Sequence, residues 1–245
     1  MTTAAPADQR RLLDVQAQES RLRALSRHKL EAQKDPELAA SAAVVAQRTS
    51  EEHDAAALRA EADAAVAALT AQSVQVQARM KKDEAQLISG QSGANTLQGL
   101  QREIEALTLK QTELDDLEME AMETAESAAA AHAAASAATA AATEAQEAVQ
   151  ARVLAKVAEL DAELEQVRGQ RAAAADGIPA DLLALFETTL AKRGAGVARL
   201  FHGTSEGSGL ALAAGDLAEI KRAPADLVVF CPDSGVILVR DPEWN

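Results

Sequence analysis

Two four-residue corners near the C-terminus hold the residue types with the most chemical meaning, Ser205-Glu206-Gly207-Ser208 and Cys231-Pro232-Asp233-Ser234. Pairs with two residues between them, set roughly twenty residues apart, have the layout of a zinc ribbon, where each pair sits on a tight knuckle and supplies two thiolates. Here Ser205, Ser208 and Ser234 occupy three of the four ligand positions, and Cys231 alone is a cysteine. A serine hydroxyl is a poor neutral ligand near neutral pH, so no metal and no zinc cofactor are expected. The bland expectation is that the serines hydrogen-bond the turn backbone while Cys231 packs as a small buried hydrophobe. His202 and Asp233 stand near the corners, but with Cys231 they make three borderline ligands without a fourth.

Other candidates are weaker. Gly203, Gly207 and Gly209 loosely resemble a phosphate loop, yet no Lys-Ser/Thr follows and the turn opens no long helix. His28, His53 and His132 are single histidines without a partner four residues away. No nucleophile and base stand in a motif context, so no catalytic residue is expected and the chain reads as a non-enzyme. Two basic groups are candidate interaction residues: Arg79, Lys81 and Lys82 in the middle of the chain, and Arg199, Lys221 and Arg222 among Lys192, Arg193 and Arg240 near its end. Asp216, Glu219 and Asp226 are interspersed with the second group, and a net charge of −14 works against phosphate binding.

These residues must be positioned by an extended helical scaffold. Alanine is abundant, tyrosine is absent and aromatics are 2% of the chain, too few for an ordinary compact core of this length. From Ala7 to about Ile88 there is one proline, Pro36, and no glycine; Ser89 to Asn95 then gathers turn residues. Asn95 with Gln98 has the spacing of a capping box, and a second helical run follows to about Ala175. Leu97, Leu100, Ile104, Leu107 and Leu114, and later Val153, Val157, Leu160, Leu164 and Val167, keep coiled-coil spacing.

Folding back at the turn predicts an antiparallel hairpin in which facing residue numbers add up to roughly 184, with arms on the order of 120 Å at the helical rise per residue. In that register Leu22 and Leu25 face Leu160 and Leu164, and the alanine tract 128–142 faces the alanine-rich stretch 42–57. Small residues on both arms let the axes approach closely, so a rod with Ser89 to Asn95 at its far tip is expected. Asp35-Pro36 predicts a break in the first arm.

Gly177 and Pro179 close the coil, and Ala180 to about Lys192 predicts a short amphipathic helix ended by Gly194 and Gly196. Strands are expected over Val197 to Phe201, Leu227 to Phe230 and Val236 to Val239, with a short helix over Asp216 to Lys221. Structural zinc supplies roughly 10–16 kcal/mol in small fingers. Without it Leu200, Leu210, Leu212, Leu217, Ile220, Val228, Phe230, Ile237 and Leu238 must hold this end. Trp244, the sole tryptophan, is a fluorescence probe of it. The fold class expected is therefore mainly α: a long antiparallel coiled-coil hairpin over 1–176 and a small α+β zinc-ribbon-like domain over 177–245.

Several stretches carry a family resemblance. They are Asp8-Gln9-Arg10-Arg11-Leu12-Leu13, Leu97 to Ile104, Leu117 to Glu123, Pro179 to Leu183, Gly196 to Leu200 and the ending Cys231-Pro232-x-x-Gly235-x-Ile237-Leu238. On these the chain resembles the bacterial coiled-coil proteins with a C-terminal four-cysteine zinc ribbon, in their actinobacterial form. The resemblance implies adaptors or chaperones that bind an alternative sigma factor or secretion components, some of them also nucleic-acid binders. The departures at Ser205, Ser208 and Ser234 remove any role that needs zinc.

The function expected is a cytoplasmic adaptor or chaperone with unidentified protein partners, a homodimer being one possible assembly. The alternative is a nucleic-acid-binding regulator acting through the ribbon-like face. No membrane partner is expected, because no apolar run approaches 18 residues, and the single cysteine excludes an internal disulfide.

Overall fold

The computed structural model describes residues 2–89 and 93–240. Gly90, Gln91 and Ser92, in the expected turn, and Trp244 lie outside the described residues. The expected helices form. Prolines open the first two, at the position where a missing N–H costs nothing: α1 is Pro6–Gln33 and α2 is Pro36–Ser89. The break between them falls at Lys34 and Asp35, and the Asp35 carboxylate is held by Arg152 at 2.9 Å. The long second arm, α3, is Ala94–Ala175. Asn95 is not its cap. The Gly93 carbonyl already accepts the Thr96 and Leu97 amides, which places Asn95 inside the first turn. The short helix α4, Ala180–Arg193, stops at Gly194, whose φ of 82° is the left-handed conformation that a C-terminal glycine supplies at little cost.

The strands are β1 Val197–Phe201, β2 Thr204–Ser205, β3 Leu210–Ala211, β4 Val229–Phe230 and β5 Ile237–Arg240, with α5 at Ala214–Arg222. They make one sheet in the order β3-β2-β1-β5-β4. At its centre β1 runs parallel to β5, with Val197 opposite Ile237 and Leu200 opposite Arg240; the other pairings are antiparallel. Of these, β2 and β3 were not expected from the sequence.

The chain divides into two compact units. One unit is Met1–Asp35 with Arg152–Asn245, and the other is Pro36–Ala151.

The first unit is built on strand alternation. Val197, Ile237 and Val239 point to one face of the sheet and pack with Leu12 and Val15 of α1 and Leu182, Phe186 and Leu190 of α4. Ala198, Leu200, Val236 and Leu238 point to the other face, where Leu212, Ile220 and Cys231 cover them. Leu210 and Phe230 do not join the interior expected of them; they are 59% and 43% exposed. They sit on β3 and β4, the two edge strands, where one flank of the chain always faces water. Further along the coil, Leu25 packs with Leu160, Leu164 and Val167, and Leu22 lies against them, as the register predicts.

The second unit is a plain two-helix coil. Its described buried residues are few and mostly small or polar: Ala62, Ser73, Asp83, Leu100 and Leu114. The arms are tied across by Gln111 Nε2 to Ser73 Oγ at 2.6 Å, Arg79 to Glu103 at 2.7 Å and Thr139 Oγ1 to the Arg48 carbonyl at 3.1 Å. The last of these pairs sets Thr139 of the 128–142 tract against Arg48 of 42–57, as expected. Small side chains on both arms leave little to bury, so this coil has little apolar area behind it.

Candidate functional site

The two corners are brought together by the β1–β2 hairpin and the turn before β5. Ser208 Oγ lies 4.0 Å from Cys231 Sγ, and the Ser234 amide donates to the same sulfur at 3.5 Å. Ser205, fully buried, also hydrogen-bonds Cys231, and its Oγ accepts the Gly207 amide at 3.3 Å. Ser208 Oγ accepts the Leu210 amide, again at 3.3 Å. Gly207 is required by the approach of the corners: a Cβ there would lie 2.8 Å from Val236 Cγ2 and 2.9 Å from the Ala198 Cβ.

Cys231 is 1% exposed. Burial pushes its thiol up, but the neighbouring Ser205 and Ser234 hydroxyls and the Ser234 and Asp233 backbone amides outweigh that and bring it down to about 7. Structural zinc takes four thiolate or imidazole ligands in tetrahedral array. One thiol and three hydroxyls, two of them accepting backbone amides, do not fit that group. Among the described residues no three or more His, Cys, Asp or Glu stand together so as to hold a metal ion.

The basic residues are dispersed. Arg79 pairs with Asp83 at 2.9 Å and with Glu103, while Lys81 and Lys82 are exposed on α2. Lys221 and Arg222 form the last turn of α5, and Lys192 and Arg193 that of α4, where cations offset the helix dipole. Arg199 sits 4.5 Å over the Phe201 ring, a cation–π contact. Arg240 is structural: its guanidinium donates to the carbonyls of Ile220, Ala223, Pro224, Ala225 and Leu227, closing the C-terminal end of α5.

Sequence reasoning missed the residues that fasten α1 to the sheet. Thr3 pairs with Leu227 as an added bridge, and Gln9, 2% exposed, donates from Nε2 to the Ala4 carbonyl at 2.8 Å and the Asp226 carbonyl at 3.2 Å. Gln16 Oε1 accepts the Gly196 amide at 2.7 Å, and Arg11 and Arg23 donate to the Asp176 and Gly194 carbonyls. A buried glutamine breaks no helical pattern, so only its place in Asp8-Gln9-Arg10-Arg11 offered a signal.

Leu117, Met119 and Met122 stand exposed within two turns of α3, with Met119 at 62% and Met122 at 57%. No described helix is long and apolar enough to cross a membrane.

The model of the CT398-like coiled coil hairpin domain matches residues 15–194, so the match ends before β1 and does not reach the corners. An uncharacterised protein of Mycobacterium tuberculosis is 30% identical over 165 residues, 67% of this chain and 67% of that one. A solved structure from Mycobacterium smegmatis superposes with a TM-score of 0.83 at 24% identity, over 98% of this chain and 100% of the other. CT398 from Chlamydia trachomatis superposes with a TM-score of 0.60 at 15% identity, over 96% and 98% of the two chains. With its hairpin matched from the first arm through α4, the chain belongs to the CT398-like coiled-coil hairpin family.

Proposed function

We propose that this chain is a non-enzymatic adaptor or chaperone that binds other proteins through its hairpin, works in the cytoplasm and needs no zinc. The observation that carries the reading is the exposed pair Met119 and Met122, three residues apart on one face of α3, with Leu117 exposed on another face. Single exposed apolar residues are ordinary, but two methionines side by side on one helix face are a ready contact, and methionine adapts to varied partners. The hydrogen-bonded corners support a zinc-free C-terminal unit that acts as a cap and docking platform. A nucleic-acid role through Arg199, Lys221 and Arg222 is the lesser reading. The helix-end positions of Lys221 and Arg222 and the commitment of Arg240 to five carbonyls leave less charge for phosphates.

Capture from a native cytoplasmic extract on the immobilised full chain tests the reading. Proteins should be retained after nuclease treatment, and Leu117→Gln with Met119→Gln and Met122→Gln should release them. Retention of RNA or DNA at physiological salt, lost on Arg199→Ala, Lys221→Ala and Arg222→Ala, would favour the lesser reading. Elemental analysis should find no stoichiometric zinc, and a chelator should leave the melting temperature unchanged.

A further inference from the structure

A groove of the second unit runs between α2 and α3, with a volume of about 860 Å³. Ala62, Ala65, Ala128 and Ala131 line it, where a coil closed by leucines would have filled the space. Leu58, 62% exposed, stands at one lip. Along α2 the lining extends from Ala55 to Ala65, about 15 Å at the helical rise. That length suits three successive anchors of a docked helix, spaced i, i+4, i+7.

Charge decides what kind of helix. Glu61, Glu120 and Glu123 line the same groove. On α3 no Lys or Arg occurs between Lys110 and Arg152, while acidic residues recur from Glu113 to Glu147. On α2 the sole Lys or Arg between Arg48 and Arg79 is Arg59, which pairs with Asp63 at 3.6 Å. An occupant therefore meets apolar alanine and leucine surface within an uncompensated negative field. A second copy would bring the same acidic stretch against itself, and a nucleic acid would be repelled.

We propose that this groove is the docking site for a basic amphipathic helix of a partner protein, its apolar stripe on the alanines and Leu58 and its Lys or Arg flanks on Glu61, Glu120 and Glu123. The proposal rests on the adaptor reading and names the chemistry of the partner. It predicts that affinity falls with salt, because the charged flanks are solvent-exposed.

The test uses the full chain and two labelled peptides of about fifteen residues, each with leucines at i, i+4 and i+7. One carries lysines at the remaining positions and the other glutamates. Fluorescence anisotropy should show saturable binding of the lysine peptide, weakened by salt, and none of the glutamate peptide. Glu61→Lys, Glu120→Lys and Glu123→Lys together should weaken it at least about tenfold, or about 1.4 kcal/mol. Glutamate and lysine are similar helix formers, and circular dichroism checks that the coil persists. Ala65→Leu, which fills the floor without changing charge, should also weaken binding.

Equal loss from Glu144→Lys with Glu147→Lys would show diffuse attraction and overturn the proposal. Binding of the lysine peptide undiminished by the groove variants, or no binding at all, would overturn it too. Sedimentation showing a dimer that the groove variants dissolve would give the groove to a second copy instead. If the groove variant captures the same cytoplasmic proteins as the unaltered chain, the groove assignment fails while the adaptor reading stands. Capture of no protein by the unaltered chain fails the adaptor reading itself.

Discussion

The sheet-bearing unit and the middle of the coil are made from different amounts of side chain. In the first, Phe186, Leu12, Leu182, Leu200, Ile237 and Leu238 are fully buried on two faces of a sheet. In the second, an alanine, a serine, an aspartate and two leucines are the described buried residues of over a hundred. Both hold helix α3, yet one has an interior in the usual sense and the other has a seam. A seam of small residues lets two helices lie close while leaving grooves along their flanks. It follows that stability should concentrate at the sheet and available binding surface along the seam.

Substitutions can break that contrast. Phe186→Ala should have the largest effect, a loss of about 4 kcal/mol in chemical denaturation, because it empties the space shared by α1, α4 and β1. A loss below about 1 kcal/mol would mean that this interior does not anchor the unit. Leu114→Ala, at one of the few large buried positions of the seam, should cost less, about 2 kcal/mol, since its surroundings can close on the gap. If the two losses were equal, the contrast between interior and seam would fail.

A pH-dependent effect comes from Cys231. The unfolded thiol has its ordinary value of 9.0, whereas the folded one ionises at about 7. Between these values the folded state holds fewer protons, so raising the pH stabilises it; the gain is complete above about 9 and lost as the pH falls through about 7. The melting temperature of the unaltered chain should therefore rise across this window relative to Cys231→Ser. A difference that stays flat, or that shrinks with rising pH, would contradict the hydrogen-bonded corner.

The sequence was most readable where structure is local. Pro36 marked the break, Gly194 the end of α4, and apolar spacing the seam from Leu97 to Leu114. The convergence of Ser205, Ser208, Cys231 and Ser234 was legible because paired corners with fixed spacing admit few folds. Strands β2 and β3 are two residues each, too short for any alternation to register. Gln9, Gln16 and Arg240 escaped for another reason. Gln9 and Gln16 find partners about two hundred residues away, at Asp226 and Gly196, and Arg240 closes a helix whose last turn gives no sign of needing it. Asn95 looked like a cap by type and spacing, but Gly93 supplied the carbonyl first.

Hydrogen exchange along the whole chain tests the contrast between interior and seam most directly. Amides exchange through local opening, whose cost follows buried apolar contact. The account predicts the slowest exchange in Leu182 to Leu190 and in the paired strands β1 and β5, and the fastest helical exchange in residues 42–57 and 128–142. Equal protection along α3, or slower exchange in the alanine stretches than in β1 and β5, would contradict it.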